Sequence, residues 1–209
     1  MRKAAAQPRR YTQRARAQTS EATAQRIIDA FLDRLMKHWF DEITLDSVAA
    51  DAGVTVQTLL RRFGGKEGLL TDAVKILANR IDERRASSPG NLDRLVANLI
   101  GDYEKTGDAV IRLLAVEPRH PALGAFLDYG RSRHRRWASE AFAETLGKLG
   151  AAGHTRALDA LVIVTDVYVW KLLRRDMGRS VAASAAIIKG LVRALIAELT
   201  NFKLKEDQQ

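Results

Sequence analysis

Apolar residues recur every three or four positions along almost the whole chain, whereas no useful stretch alternates apolar and polar residues. The first pattern is typical of helices that bury one face, and the second would indicate strands. A first helix is predicted from Thr19 or Ser20 to about His38. Two short helices are predicted next, one over residues 45–52 and one that follows Thr55 and ends near Phe63. The sequence therefore predicts an all-α protein.

The rest of the chain repeats this periodicity, interrupted by segments rich in glycine and proline. A fourth helix is predicted over residues 66–85 and ends before Ser87-Ser88-Pro89-Gly90. Five more are predicted, at residues 91–105, 108–116, 121–149, 154–177 and 181–202. The total is about nine helices.

The second and third predicted helices have the pattern of a helix-turn-helix. Thr44 and Thr55 can cap their N-termini, and Gly53 suits the left-handed residue that ends the second helix. Small residues at Ala49 and Ala52 allow the two helices to cross closely. The apolar positions expected to form their core are Val48, Ala49, Ala52, Val56, Leu59 and Phe63.

The remaining face of the third helix carries side chains suited to DNA. Glutamine can bind adenine through two hydrogen bonds, valine can contact a thymine methyl group, and hydroxyls and arginines can contact phosphates. Helix N-termini at Thr44 and Lys66 would also direct backbone N–H groups towards phosphates. The candidate DNA-binding residues are Thr44, Thr55, Val56, Gln57, Thr58, Arg61, Arg62 and Lys66.

Residues 27–70 resemble the DNA-binding domain of tetracycline-repressor (TetR) family transcription regulators. The resemblance implies a DNA-binding domain over residues 20–70 and a ligand-binding and dimerisation domain over residues 71–209. It also implies a homodimer that binds a palindromic operator and responds to a small ligand, with repression as the usual mode. The matching positions are Ile27, Ala30, Phe40, Thr44, Val48, Ala49, Ala52, Gly53, Val54, Thr58, Leu59, Phe63, Lys66, Glu67 and Leu70.

Three positions depart from the pattern of that family. Trp39 stands where glycine is usual, and Phe31 stands where a small residue is frequent. Leu60 stands where a tyrosine frequently contacts a phosphate. Leucine cannot donate a hydrogen bond to a phosphate. We therefore hypothesise that Arg61 or Arg62 replaces this contact.

The net charge of +9 is distributed unevenly. Residues 1–19 carry six basic residues and no acid, whereas residues 20–70 carry six bases and eight acids. Residues 1–19 are expected to form a flexible arm, which is either a solubilising tail or a DNA contact through its arginines. The arginines in question are Arg9, Arg10, Arg14 and Arg16.

The predicted C-terminal domain carries polar and aromatic residues within apolar stripes, as ligand pockets do. His134 is either a core histidine satisfied by a neighbour or a polar anchor for a ligand, and Asp166 must be paired, protonated or solvated. The expected ligand is a small apolar or aromatic molecule with one polar group. The candidate lining residues are Tyr103, Arg112, Phe126, His134, Trp137, Asp166 and Trp170.

The last two predicted helices are apolar over more of their surface than one small domain can cover. A four-helix interface with a second copy of the chain would cover it, and two-fold interfaces are the commonest kind. The candidate interface residues are Leu161, Tyr168, Leu172, Ile188, Leu191 and Leu195.

Other classes of function have little support in the sequence. The chain has no cysteine, its four histidines are far apart, and it has no serine-hydrolase, zinc-protease or phosphate-loop motif, so we expect no enzyme, metal or cofactor. The apolar run over residues 160–173 is too short to span a membrane and contains Asp166, and we expect a cytoplasmic protein. The main alternative is a helical ligand- or partner-binding dimer that has lost operator binding.

Overall fold

The computed structural model describes residues 8–85 and 90–206, with side chains for residues 18–85 and 90–199. This part of the chain forms ten α-helices and no strand, which confirms the all-α prediction. None of its helices is long and apolar enough to cross a membrane. The helices are α1 (Pro8–Lys37), α2 (Leu45–Ala52), α3 (Val56–Phe63), α4 (Lys66–Arg85), α5 (Leu92–Val116), α6 (Pro121–Ala141), α7 (Ala143–Leu146), α8 (Ala151–Val164), α9 (Val167–Lys171) and α10 (Val181–Glu206).

The chain divides into an N-terminal unit, Met1–Ala73, and a C-terminal unit, Val74–Gln209. The division falls within α4, close to the domain boundary that the sequence predicts at residue 70. In the N-terminal unit α2 packs against both α1 and α3. Its core contains the buried side chains Ile27, Phe31, Leu35, Val48, Ala49, Leu59, Leu69 and Leu70.

The first helix begins earlier than the sequence predicts. α1 starts at Pro8, so the backbone of residues 8–19 is helical rather than part of a flexible arm. Proline is favoured in the first turn of a helix, and the alanines, arginines and glutamines that follow are good helix formers. The cap expected at Thr19 or Ser20 is therefore absent, because the helix is already formed there. Residues 1–7 lie outside the described part.

In the C-terminal unit α5 packs against α9 and α10, and α8 packs against α6 and α10. The break predicted at Thr106-Gly107 does not exist, since α5 runs unbroken from Leu92 to Val116. A Cβ atom on Gly107 would collide with the ring of Trp170. This glycine therefore makes room for an indole and does not end a helix.

Two predicted long helices are interrupted. Residues 121–149 divide at Phe142 into α6 and α7, and residues 154–177 divide at Thr165 and Asp166 into α8 and α9. Asp166 caps the second break, because its Oδ1 accepts a 2.9 Å hydrogen bond from the N–H of Tyr168. α9 then continues as a π-helical turn, Leu172–Asp176.

Candidate functional site

α2 and α3 form a helix-turn-helix with threonine caps and glycine turns. Thr44 Oγ1 accepts a 3.2 Å hydrogen bond from the N–H of Ser47, and Thr55 Oγ1 accepts one of the same length from the N–H of Thr58. Gly53 has a φ of 64°, a left-handed conformation that residues with a Cβ atom rarely adopt. The three predicted cap positions are therefore confirmed.

One side of α3 lies in the core of the N-terminal unit and the opposite side is exposed. Leu59 is fully buried, as predicted. Val56 and Phe63, which the sequence predicts to face the core, are only half-buried. An exposed second helix is the arrangement that places side chains in the major groove of DNA. The exposed side chains of α3 are Gln57, Leu60, Arg61 and Arg62.

Thr55 and Thr58 form a hydroxyl pair at the start of α3. Their Oγ1 atoms are 3.0 Å apart, so one hydroxyl donates its hydrogen to the other. Since each hydroxyl has a single hydrogen, the acceptor of this bond keeps its own hydrogen for another partner. The pair can therefore donate one hydrogen bond outwards, for example to a phosphate.

The two arginines at the end of α3 have different surroundings. Arg62 donates hydrogen bonds from its guanidinium to Ser20 Oγ at 2.6 Å and to Glu21 Oε2 at 3.2 Å. Arg61 is exposed and forms no ion pair with any residue whose side chain is described. Arg62 thus links α3 to α1, whereas the charge of Arg61 is available to a partner.

The side chain of Lys66 points into the N-terminal unit. Its ammonium donates a hydrogen bond to the backbone oxygen of Phe40 and lies 3.9 Å from the centre of that ring. Partial burial lowers the pKa of Lys66. A phosphate contact by this residue would therefore use the backbone N–H at the start of α4, as the sequence prediction places it.

The candidate arginines Arg9, Arg10, Arg14 and Arg16 lie on the first turns of α1. Their side chains are outside the described part of the structure. The helical backbone argues against the interpretation of these residues as an unstructured tail. The hypothesis that they contact DNA stays a prediction.

The C-terminal unit contains a cavity of about 290 Å³ between α4, α5, α6 and α9. This volume is close to the lower end of the range for small-molecule sites, about 300–1,000 Å³. Most of its lining is aliphatic or aromatic. Five of the seven predicted ligand residues line it, namely Tyr103, Phe126, His134, Trp137 and Asp166.

The other two predicted ligand residues do not line this cavity. Trp170 is fully buried, and its indole N–H donates a 2.7 Å hydrogen bond to Glu104. Arg112 is also absent from the lining. Trp170 is thus a core residue that packs against Gly107, and its prediction as a ligand contact is wrong for this cavity.

Arg85 is a cavity residue that the sequence does not reveal. Only 8% of its surface is exposed, and its Nε donates a 2.7 Å hydrogen bond to the buried carboxylate of Asp102. Arg84 donates to the other oxygen of Asp102 at 2.7 Å, and the Arg85 guanidinium lies 4.6 Å from the centre of the Tyr103 ring. A basic residue in the last turn of a helix is usually a surface residue that complements the helix dipole, so nothing in the sequence marks Arg85 as buried. The sequence feature that could have indicated the buried ion pair is Asp102, because this acidic residue stands among apolar core positions.

His134 supports Arg85 and is already hydrogen-bonded on both sides of its ring. Its Nδ1 lies 3.2 Å from Arg85 Nη1 and must accept, because arginine has no acceptor. The hydrogen is therefore on Nε2, which faces Thr165 Oγ1 at 3.2 Å and the backbone oxygen of Val162 at 3.4 Å. Burial and the charge of Arg85 lower the pKa of His134 to about 4, so the ring is neutral. Of the two hypotheses for His134, this geometry favours the satisfied core histidine.

Asp166 is a half-buried carboxylate at the cavity that forms no ion pair with the described side chains. Burial raises its pKa, while the hydrogen bond from the Tyr168 N–H and the charge of Arg85 lower it. Its carboxylate caps α9. The group therefore has a structural role whether or not a ligand binds.

Two of the six predicted interface residues are in the core of a single chain. Leu161 and Ile188 are almost completely buried, so their prediction as interface residues is wrong. Apolar residues on these helices alternate between the core of the unit and its surface, and the sequence pattern does not separate the two sets. The other four are Tyr168, Leu172 and Leu191, which are exposed, and Leu195, which is half-buried.

Comparisons with known proteins agree with the helix-turn-helix geometry. The model of the family "Bacterial regulatory proteins, tetR family" matches residues 27–73. A proposed transcriptional regulator from Pseudomonas aeruginosa PAO1 superposes with a TM-score of 0.65 at 18% identity, over 83% of this chain and 90% of that chain. A proposed TetR-family regulator from Rhodococcus sp. gives a TM-score of 0.59 at 17% identity, over 83% and 98% of the two chains. These two likenesses show a shared fold. No curated protein matches the sequence.

Proposed function

Since the chain belongs to the TetR family of DNA-binding transcriptional regulators, we propose that it binds a palindromic operator as a homodimer and represses transcription until a small ligand binds. Proteins of this family are transcription factors rather than enzymes. The observation that carries the proposal is the exposed side of α3, where Gln57 and Arg61 project from a capped short helix. These side chains can bind adenine edges and phosphates.

The homodimer is supported by apolar surface on the C-terminal unit. Nine large apolar side chains are exposed in the described part of the chain, and seven of them lie between Ile163 and Leu191. Surface of this kind marks an interaction site when it is concentrated in one region. A two-fold interface through α8, α9 and α10 would cover it and place two copies of α3 about 34–36 Å apart or somewhat more.

The ligand response is supported by the cavity. Its walls are mostly apolar, and the Nε1 of Trp137 is buried without an acceptor among the described residues. A buried donor without a partner is rare in proteins, and a ligand acceptor could satisfy it. We propose an apolar or aromatic ligand with one hydrogen-bond acceptor, such as a carbonyl oxygen.

The test begins with selection of DNA fragments from the source genome by the purified protein, followed by fluorescence anisotropy and light scattering. We expect a dimer that binds a palindromic fragment. Gln57→Ala and Arg61→Ala should weaken binding, whereas Glu144→Ala, a surface change in the C-terminal unit, should not.

The ligand is sought by adding aromatic and aliphatic compounds with one carbonyl group to the complex. A compound that releases wild-type protein should not release Ala78→Phe, because the added ring reduces the cavity beside Ala78. Release that is equal in both proteins would place the ligand elsewhere. A dimer that binds such compounds but selects no DNA at low salt would instead support the alternative function, a ligand-binding protein without an operator.

A further inference from the structure

Leu60 is an exposed leucine on the side of α3 that faces away from the core. Its side chain is 42% exposed, and Trp39 is the only other large apolar side chain exposed among residues 18–73. The core position on this turn is taken by Leu59, which is completely buried. Leu60 therefore contributes little to the core of the N-terminal unit.

The exposed side of α3 carries an apolar row beside a polar row. Residues four apart lie on the same side of a helix, so Val56 precedes Leu60 by one turn and Gln57 precedes Arg61 in the same way. Leu60 and Gln57 lie on adjacent turns of the same surface. Any surface that α3 contacts thus meets an aliphatic group next to an amide and a guanidinium.

We propose that Leu60 is a specificity-determining residue that packs against the C5-methyl group of a thymine in the operator. This inference rests on the function proposed above, with α3 in the major groove. The thymine methyl is the apolar group that base edges present there, and aliphatic side chains contact it. Leucine cannot hydrogen-bond a phosphate, so apolar contact is what remains to it.

The neighbouring glutamine strengthens this assignment. A Gln57 amide can bind N6 and N7 of adenine, and an A·T pair presents both that edge and a thymine methyl in the major groove. The two rows of α3 are therefore complementary to consecutive A·T pairs. A half-site that contains such pairs is the expected target.

The experiment compares thymine with deoxyuridine, which lacks only the C5-methyl group. Operators selected by wild-type protein from random duplex DNA are resynthesised with single thymines replaced, and affinities are measured by anisotropy at fixed salt. For wild-type protein we expect one thymine position in each half-site at which replacement by deoxyuridine weakens binding. The affinity should fall about fourfold for each methyl group removed, which is the effect of losing the burial of one methylene-sized group. Leu60→Ala should bind both versions equally.

Gln57→Ala is the matched control, since it should bind more weakly overall but keep the thymine-to-deoxyuridine ratio of wild-type protein. Because Leu60 is exposed, Leu60→Ala should keep the circular dichroism spectrum and melting temperature, and Leu60→Gln provides a second variant if it does not. The inference is overturned if no replacement weakens wild-type binding, or if the Leu60 variants retain the wild-type ratio. Selection of no DNA at all would instead overturn operator binding itself.

Discussion

Asp102 joins two arginines inside the C-terminal unit, and removal of its charge tests whether this contact stabilises the fold. Its side chain is completely buried and accepts 2.7 Å hydrogen bonds from Arg84 and Arg85. Asp102→Asn keeps the shape of the side chain but leaves the Arg85 charge buried without a counterion. Removal of one partner of a buried ion pair costs about 3–5 kcal/mol, because the remaining charge is still desolvated. We expect the free energy of unfolding to fall by about this amount.

Asp93→Asn is the matched control on the same helix. Asp93 also accepts a 2.7 Å hydrogen bond, from Lys189, but its side chain is 65% exposed, so water screens the pair and only a small decrease in stability is expected. The assay is urea unfolding at neutral pH, monitored by circular dichroism. Equal decreases in the two variants would refute the argument, since they would show that burial of the Arg85–Asp102 pair adds nothing to its effect on stability.

Three further predictions concern the salt dependence of DNA binding, helix packing and pH. Arg61→Ala should reduce the slope of log K against log salt by about 0.9 for each phosphate that is no longer neutralised. Arg62→Ala should leave this slope unchanged. The reverse result would assign the phosphate contact to Arg62. In urea unfolding, Gly107→Ala should destabilise the protein by about 1–3 kcal/mol through overpacking against Trp170. Gly101 lies on the same helix at an exposed position with open space around it. Gly101→Ala should therefore be neutral or slightly stabilising. Histidine in the unfolded chain binds a proton near pH 6.5, whereas the pKa of folded His134 is about 4. The stability of the fold should therefore decrease as the pH falls through this interval. His134→Gln should remove that part of the pH dependence in melting curves.

The helix-turn-helix is predicted almost completely by the sequence, because local chemistry determines it. Thr44 and Thr55 cap whatever helix follows them, and Gly53 supplies a left-handed residue at no steric cost. The side-chain chemistry that suits Gln57 and Arg61 to the DNA contacts proposed for them also follows from residue type and helical position. What the pattern does not decide is which arginine is available, since the contact of Arg62 with Ser20 and Glu21 joins residues about forty positions apart.

The C-terminal unit is predicted less well, because its details depend on contacts between distant helices. The sequence predicts a helix break at Gly107. Only the contact between Gly107 and the ring of Trp170 explains why a glycine stands at this position inside α5. The sequence also predicts Leu161 and Ile188 at an interface, although they fill the core of their own chain. A stripe of apolar residues shows that a helix face is covered but does not show what covers it.

The sequence by itself determined the helical class, the capped helix-turn-helix and the chemistry of the exposed side of α3. These properties depend on residues within a few positions of one another, where propensity, capping and periodicity act directly. Only the tertiary structure decided that Arg85 and His134 share a buried network at a cavity, that Lys66 points towards Phe40 and that Leu60 is exposed beside the buried Leu59. Burial and hydrogen-bond partners are set by segments far apart in the chain, and one sequence does not specify which of its helix faces meet.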